Sequence, residues 1–524
     1  MSIDTRDREK ITARTRPAPA GYDYRLQITD AAGGGDGRDR SAISFLAVGD
    51  SGSKGRSHRP KYLVANNMVK EGPVDLVLHL GDVVYSSGSK EGYEDRFIRA
   101  YRYWLKDGAE HRYDDLVFTT PFLPVYGNHD YYDFHKAVPL IGDLVGRVLG
   151  EVVDEVGSGS GNGRVFEEAF VARDLAGVRD GVLPYVPGRA TRIPNRYYWF
   201  THGPCAFFAL DSNTLDGTGP PSDQERPELE LKLREARSLA DVRRLQYERL
   251  HRHIEAGGVR ADVEGIALEQ VRTTLYEVVI GLAEAEKEAA MLEKQLSATR
   301  EDFDRDQLAW LRRVLQHADA EGKWKVVYMH HPLYSSDGSH TDDPESVGLR
   351  HNLRRVLVEH GVHLVLSGHS HCFEWVAPKA PDGAPAGPSE QNICYLVSGG
   401  GGRGLRRSIL EDDPTNVDVL KKRGEFLRVA ESHAYTALLG ENDAEAVYHF
   451  LRVDATEDAL RVTPVGVLDR GSVTGERERE RDEKGGMRTK VLRAAGGTVE
   501  AEACRIGHVD VFRDKPPEGR FEPV

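Results

Sequence analysis

Cysteine is scarce in this 524-residue chain and does not cluster: Cys205, Cys372, Cys394 and Cys504 stand far apart, with no Cys-x-x-Cys pair. A disulfide framework or a thiolate zinc site is therefore not expected, and buried reduced thiols are. Long apolar runs are lacking too. No stretch approaches the ~20 apolar residues that a membrane-spanning helix needs. Positive charge is in deficit, with 70 Lys and Arg against 84 Asp and Glu and a net charge of −14. A general nucleic-acid or anionic-membrane binder gains affinity by neutralising phosphates. Neither partner is expected here, although a local basic pocket stays open. The segment from Met1 to Ala20 is charged and has no apolar core. No signal peptide is visible, and a cytoplasmic protein is expected.

What is present is a set of short apolar runs, each closed by a potential metal donor. Phe45-Leu-Ala-Val-Gly leads to Asp50, Val74-Asp-Leu-Val-Leu-His-Leu-Gly to Asp82 and then Tyr85, and Phe122-Leu-Pro-Val-Tyr-Gly to Asn128-His129-Asp130. Val326-Val-Tyr-Met leads to His330-His331, and Val362-His-Leu-Val-Leu-Ser-Gly to His369-Ser-His371. Each reads as a buried strand, a turn and an exposed side chain at the strand's carboxyl end, where open α/β sheets place their sites.

Between the runs the spacing turns helical. Pro60 to Glu71 carries Tyr62, Ala65, Met68 and Val69, and Tyr93 to Leu105 is aromatic-rich at similar spacing. Alternating strands and helices predict an α/β architecture. Tyr22 to Thr29 reads as an edge strand, Arg196–Phe200 with Cys205–Leu210 as a hairpin, and Val447–Val453 with Ala459–Val467 as a closing hairpin. Residues 1–40 form a polar lead-in. The span from Gly142 to Pro194 reads as an elaborated loop, a candidate lid. The predicted catalytic domain covers 41–215 and 300–470, with a C-terminal extension over 471–524. In that extension Glu476 to Lys484 reads as an exposed charged loop.

Residues 216–299 differ in character. Leu268, Val271, Leu275, Val278, Leu282, Ala285, Ala289, Leu292 and Leu296 recur at alternating steps of three and four, a heptad seam. An earlier helix from Leu229 to Ile254 precedes Gly257-Gly258. This predicts an inserted helical hairpin of coiled-coil type. It is either a solvated pair packing on itself or an arm for homo-oligomer formation.

Carboxylate, phenolate, amide oxygen and imidazole form a hard-to-borderline donor set suited to Fe, Mn or Zn. Asp50, Asp82, Tyr85, Asn128, His330, His369 and His371 are too many for one ion and enough for two. Two close ions form a clamp for phosphoryl transfer. A single Gly-Asp after a strand is commonly only a turn, and a single His-x-His says little. All five motifs in order say much more. His202, His317 and His449 lie outside the motifs and read as surface or core histidines.

The order Gly-Asp, Gly-Asp, Gly-Asn-His-Asp, His, Gly-His-x-His resembles the calcineurin-like metallophosphoesterase superfamily, and its purple acid phosphatase branch more closely. Most of that superfamily has Asp-x-His in the first motif, where this chain has Gly52. The purple acid phosphatases lack the same His and carry a Tyr three residues after the second Asp, where this chain has Tyr85. The fourth motif, Val327-Tyr-Met-His330 followed by Pro332 and Tyr334, also matches that branch. The resemblance implies a four-layer α/β/β/α sandwich. It also implies hydrolysis of a small phosphoester by a metal-bound hydroxide, with no covalent enzyme intermediate. Asp50, Tyr85 and His371 would hold Fe(III), Asn128, His330 and His369 a second Fe, Zn or Mn, and Asp82 would bridge. His129 and His340 would be catalytic, contacting the phosphate. His331 would point away from His330 if its strand ran on. A phosphomonoesterase is the first reading and a phosphodiesterase, on cyclic nucleotides or phospholipid head groups, the second. A scaffold acting through the hairpin is the non-enzyme alternative. The missing secretion signal and the helical insertion depart from the usual pattern.

Overall fold

The computed structural model describes residues 15, 21–29, 40–52, 59–85, 88–108, 110–131, 163–217, 226–255, 304–338, 340–341, 343–379, 388–411, 416–436, 438–439, 445–468, 477–481, 487–491, 503–513 and 515–521, with scattered positions between 278 and 297. Two large sheets carry the fold. The first strand of the core, β1 (Ala42–Val48), pairs in parallel with β2 (Leu76–His79), which pairs in parallel with β3 (Phe122–Pro124). Phe45, Leu46, Ala47 and Val48 have no solvent exposure. A strand covered on both faces must be apolar without alternation, which is why these runs read so clearly in the sequence. Helix α1 (Arg59–Lys70) returns the chain from β1 to β2, burying Val64, Ala65 and Met68.

Among the described residues the second sheet contains seven strands. Strand β4 (Tyr198–His202) forms a hairpin with β5 (Cys205–Ala209), and β5, β6 (Trp324–Tyr328) and β7 (Leu364–Ser367) are parallel. Beyond β7 come β9 (Cys394–Ser398), β8 (Phe373–Pro378) and β10 (Ala430–Thr436). Among the described residues the first sheet contains nine strands, extended from β1 by the hairpin β11 (Glu445–Thr456) and β12 (Leu460–Leu468). The two sheets touch across a shared core. The Phe45 and Phe207 rings lie 5.2 Å apart, Tyr198 Oη donates to Pro124 O at 3.0 Å, and Trp324 Nε1 donates to Thr456 O at 2.7 Å. The fold is mixed α/β, as expected.

Several local readings change. The 93–105 segment is helical but irregular, a π-helical turn at Tyr93–Ile98 followed by a 3-10 turn at Arg102–Trp104. Tyr93, Phe97 and Tyr101 pack there against Phe118, Phe122 and Phe170. Such bulky packing overrides a regular helical register. The edge strand in 22–29, Leu26–Ile28, pairs with Leu183–Tyr185 in a small separate sheet. Residues 142–162 of the candidate lid lie outside the described residues. Its remainder is structured, with helix α2 (Arg164–Phe170) as well as that strand. The charged run does not read through as a loop, since Arg477–Arg481 pairs antiparallel with Met487–Val491. In that register Glu478 stands opposite Lys490 and Glu480 opposite Arg488. Near the C-terminus, Gly507–Val511 and Glu518–Phe521 add two strands to the nine-stranded sheet.

Helix α3 (Arg226–Glu255) opens the insertion. Leu229, Leu233 and Ala236 cluster with Ala289 and Leu292, and Ala240 clusters with Leu282 and Ala285. Arg237–Glu293 and Arg244–Glu286 ion pairs flank the seam. The two arms therefore pack on each other over these positions. Leu268, Val271 and Leu275 lie outside the described residues.

Candidate metal centre

The carboxyl ends of β1, β2, β3, β6 and β7 meet at one point. Backbone bonds lock the ends together. Asp50 N donates to Gly81 O at 3.1 Å, Gly368 N to His330 O at 2.9 Å, and Gly401 N to Gly49 O at 2.9 Å. Asp50, Asp82 and His369 all adopt positive φ, at 58°, 51° and 68°. Non-glycine residues held there are strained, and such strain gathers at functional sites. The tight turns aim each side chain inward.

The expected donors converge. Tyr85 Oη lies 2.5 Å from Asp50 Oδ1 and 3.1 Å from His371 Nε2. His330 Nε2 lies 2.9 Å from Asn128 Oδ1, 3.2 Å from His369 Nδ1 and 3.4 Å from Asp82 Oδ1. His371 Nε2 is 3.5 Å from Asp50 Oδ1. The outward nitrogens of two imidazoles are held by carbonyls, His330 Nδ1 by Leu80 O at 2.9 Å and His371 Nδ1 by Gly404 O at 2.7 Å. Those bonds fix the rings with Nε2 facing the cluster, the outer support that metal-ligating histidines use.

Burial makes this cluster costly without a cation. Burial pushes the Asp50 carboxyl up to about 7, despite the opposing effects of His330 and Tyr85. Burial raises Asp82 as well, but His330 and His129 outweigh it and hold that carboxyl down to about 2. Burial and then the adjacent Asp50 drive the Tyr85 phenol well above its usual range, and burial drives His369 and His371 well below theirs. Acidic, phenolic and imidazole groups packed this closely fit a positive ion among them, which favours the anionic donors and neutral imidazole together. By donor chemistry and convergence the residues fit a metal site.

The remaining expected residues lie at the rim. His129 is half-buried, its backbone N donates to Asp82 Oδ1 at 2.9 Å, and its ring lies 4.4 Å from that of Tyr85. His340 stacks on His369 at 4.0 Å and bonds through Nδ1 to Asp343.

Other groups stand beside the expected donors. Strand β6 stops at Tyr328, so the alternation expected to turn His331 away from His330 does not continue. The His331 ring instead packs 4.4 Å from His369, with Nδ1 2.9 Å from Ser212 Oγ. Asp130 closes the Gly-Asn-His-Asp motif from behind. It accepts from Gly127 N at 2.9 Å, from Val83 N and from Tyr93 Oη, tying the second and third turns together. Arg403 and Arg406 reach the rim from the loop after Gly399–Gly402, where glycine abundance is a signal but the arginines carry none.

Residues 43–235 and 266–373, more than half of the chain, match the model of the calcineurin-like phosphoesterase family. Probable purple acid phosphatase 20 of Arabidopsis thaliana is 33% identical over 70 residues, 13% of this chain and 16% of that protein. Purple acid phosphatase 21 of the same plant is 35% identical over 101 residues, 18% of this chain and 21% of that protein. The chain spans about a fifth of the length of these curated relatives. Among solved structures it is similar to purple acid phosphatase PPD1 from yellow lupin (Lupinus luteus) seeds, with a TM-score of 0.38 at 15% identity, over 82% of this chain and 52% of that one. Among the described residues no helix is long and apolar enough to cross a membrane.

Proposed function

The chain belongs to the calcineurin-like phosphoesterase family, a hydrolase family, and on that premise we propose a binuclear phosphomonoesterase of the purple acid phosphatase type. One observation carries the choice of branch. Tyr85 Oη stands within 2.5 Å of Asp50 Oδ1 and 3.1 Å of His371 Nε2, inside the donor cluster. Asp50, Tyr85 and His371 would hold one cation, Asn128, His330 and His369 the other, with Asp82 between them. A phenolate donor favours a trivalent ion, so Fe(III) is assigned to the Tyr85 side and Fe, Zn or Mn to the other. When bound, the cations supply Lewis acidity, neutralise the ester's charge and lower the pKa of water.

The chain's own groups do the rest. The strained turns at Asp50, Asp82 and His369 hold the donors in place before any ligand arrives, so no reorganisation is needed during reaction. His129, with its backbone fixed to Asp82 and its ring beside Tyr85, would contact the phosphoryl oxygens. An imidazole in that place is an apt acid for an alkoxide leaving group. His340, oriented by Asp343 through Nδ1, would contact the substrate from the opposite rim.

Hydrolysis of p-nitrophenyl phosphate and of bis(p-nitrophenyl) phosphate by the metal-loaded protein tests this reading. Turnover of the monoester, abolished by Asp82→Asn in a folded protein, is expected. Turnover of the diester alone would overturn the monoesterase assignment.

A further inference from the structure

The loop over 403–406 is fastened to the candidate donors by three backbone contacts. Arg403 N donates to Asp50 O at 3.1 Å, Arg406 N donates to His371 O at 3.1 Å, and Gly404 O meets His371 Nδ1 at 2.7 Å. Two guanidinium stems are thereby set at fixed places beside the centre. The Arg403 guanidinium lies 4.8 Å from the Tyr85 ring centroid, and Arg406 Nη1 lies 2.6 Å from His340 Nε2. Both side chains are half-buried.

Among the described residues, neither guanidinium is ion-paired to a carboxylate. Elsewhere Arg196 pairs with Asp211 and Arg354 with Glu390, while half-buried Arg192 is held by the backbone carbonyls of Asp114, Glu168 and Ala169. Two half-buried cations left without counter-charges at the rim of one site call for an anion from outside. A further cation is the wrong occupant. His340, Asp343 and His369 bring ligand atoms within 4.8 Å of one another, but the Arg406 guanidinium already stands on His340 Nε2. Guanidinium forks match phosphoryl oxygens through paired N–H bonds and are more weakly hydrated than ammonium.

We infer that Arg403 and Arg406 bind a second anionic group of the substrate, next to the phosphoryl group taken by the centre, so that the enzyme prefers compounds bearing two adjacent phosphoryl groups over simple monophosphates. The inference rests on the phosphomonoesterase reading above. It also explains how an acidic chain selects a highly anionic substrate, with the cations concentrated at one loop.

Titration calorimetry on the full-length, metal-loaded protein tests it without requiring turnover. The probes are methylenediphosphonate, phosphonoacetate and methylphosphonate, with metal content matched across variants. Wild type should bind methylenediphosphonate at least roughly tenfold more tightly than methylphosphonate, the scale of one hydrogen bond to a charged group. Arg403→Gln and Arg406→Gln should each erase most of that ratio, and Arg406→Lys should restore part of it. Phosphonoacetate separates the occupants. Tight binding shows that the subsite takes a carboxylate as well, weak binding that it selects phosphoryl groups, and either supports it. Equal affinity of wild type for the mono- and diphosphonate overturns the inference, as does an equal loss of both in the Gln variants. A protein that shows the ratio but hydrolyses no phosphomonoester keeps the subsite and overturns the reaction. Hydrolysis without the ratio does the reverse.

Discussion

A Cβ placed on Gly52 would stand 2.2 Å from Val84 Cα and 2.4 Å from Val83 O. The backbone that carries Tyr85 into the cluster occupies the space a side chain at position 52 would need. The absent first-motif histidine and the added tyrosine are thus one structural arrangement. Gly52→His should not restore a histidine ligand. Because the obstacle is backbone, its effect on stability should exceed the ~1–3 kcal/mol of ordinary overpacking. A lower melting temperature and reduced metal content are expected, and a normally folded variant with full metal content would contradict this.

Asp82 Oδ1 lies 3.4 Å from His330 Nε2 and accepts from His129 N, and the His129 ring lies 4.4 Å from that of Tyr85. Asp82→Asn should lower bound metal and abolish turnover. His129→Ala should keep both metals and lower kcat by roughly 10²–10⁴-fold, the usual contribution of a positioned acid or base. Metal analysis beside steady-state kinetics separates the two outcomes.

Leu233 is buried between the arms of the insertion, in the cluster with Ala289 and Leu292. Leu233→Asp places an unpaired charge in that seam, at a cost of several kcal/mol. The arms should open, and limited proteolysis should cut within 226–299 faster than in wild type. Phosphomonoester turnover should persist, because the seam is built apart from the donor cluster. Loss of turnover in parallel with cleavage would show that the insertion supports the centre.

His449 is fully buried beneath Gly400, and among the described residues its ring nitrogens meet no side-chain hydrogen-bond partner. Burial lowers its pKa from the ordinary 6.5 to about 3. Between those values the unfolded chain binds a proton that the native state refuses. Its contribution to stability is therefore complete above pH 6.5 and lost as pH falls toward 3. Denaturant unfolding across that window should show wild type weakening on the acid side, and His449→Leu weakening less. Parallel curves would contradict the role of His449.

The buried strands were legible because complete burial demands uninterrupted apolar runs, as in Phe45 to Val48 and Val326 to Tyr328. The candidate donors were legible because each follows such a run through a short turn. Less was readable where tertiary packing or loops decide. The π-helical turn at Tyr93–Ile98 follows from aromatic crowding that sequence periodicity does not encode. The placement of His331 depended on where β6 stops, at Tyr328, short of the two histidines. Arg403, Arg406 and Asp343 reach the site from loops without a repeat, so only the assembled backbone brings them together.

The most direct test of the centre is the visible absorption spectrum of the purified protein with metal analysis, beside Tyr85→Phe. About two metals per chain and a broad tyrosinate-to-Fe(III) band that vanishes in the variant are the expected result. A colourless protein with two divalent ions would overturn the pairing of Tyr85 with iron. No bound metal, even after reconstitution, would contradict the binuclear centre itself.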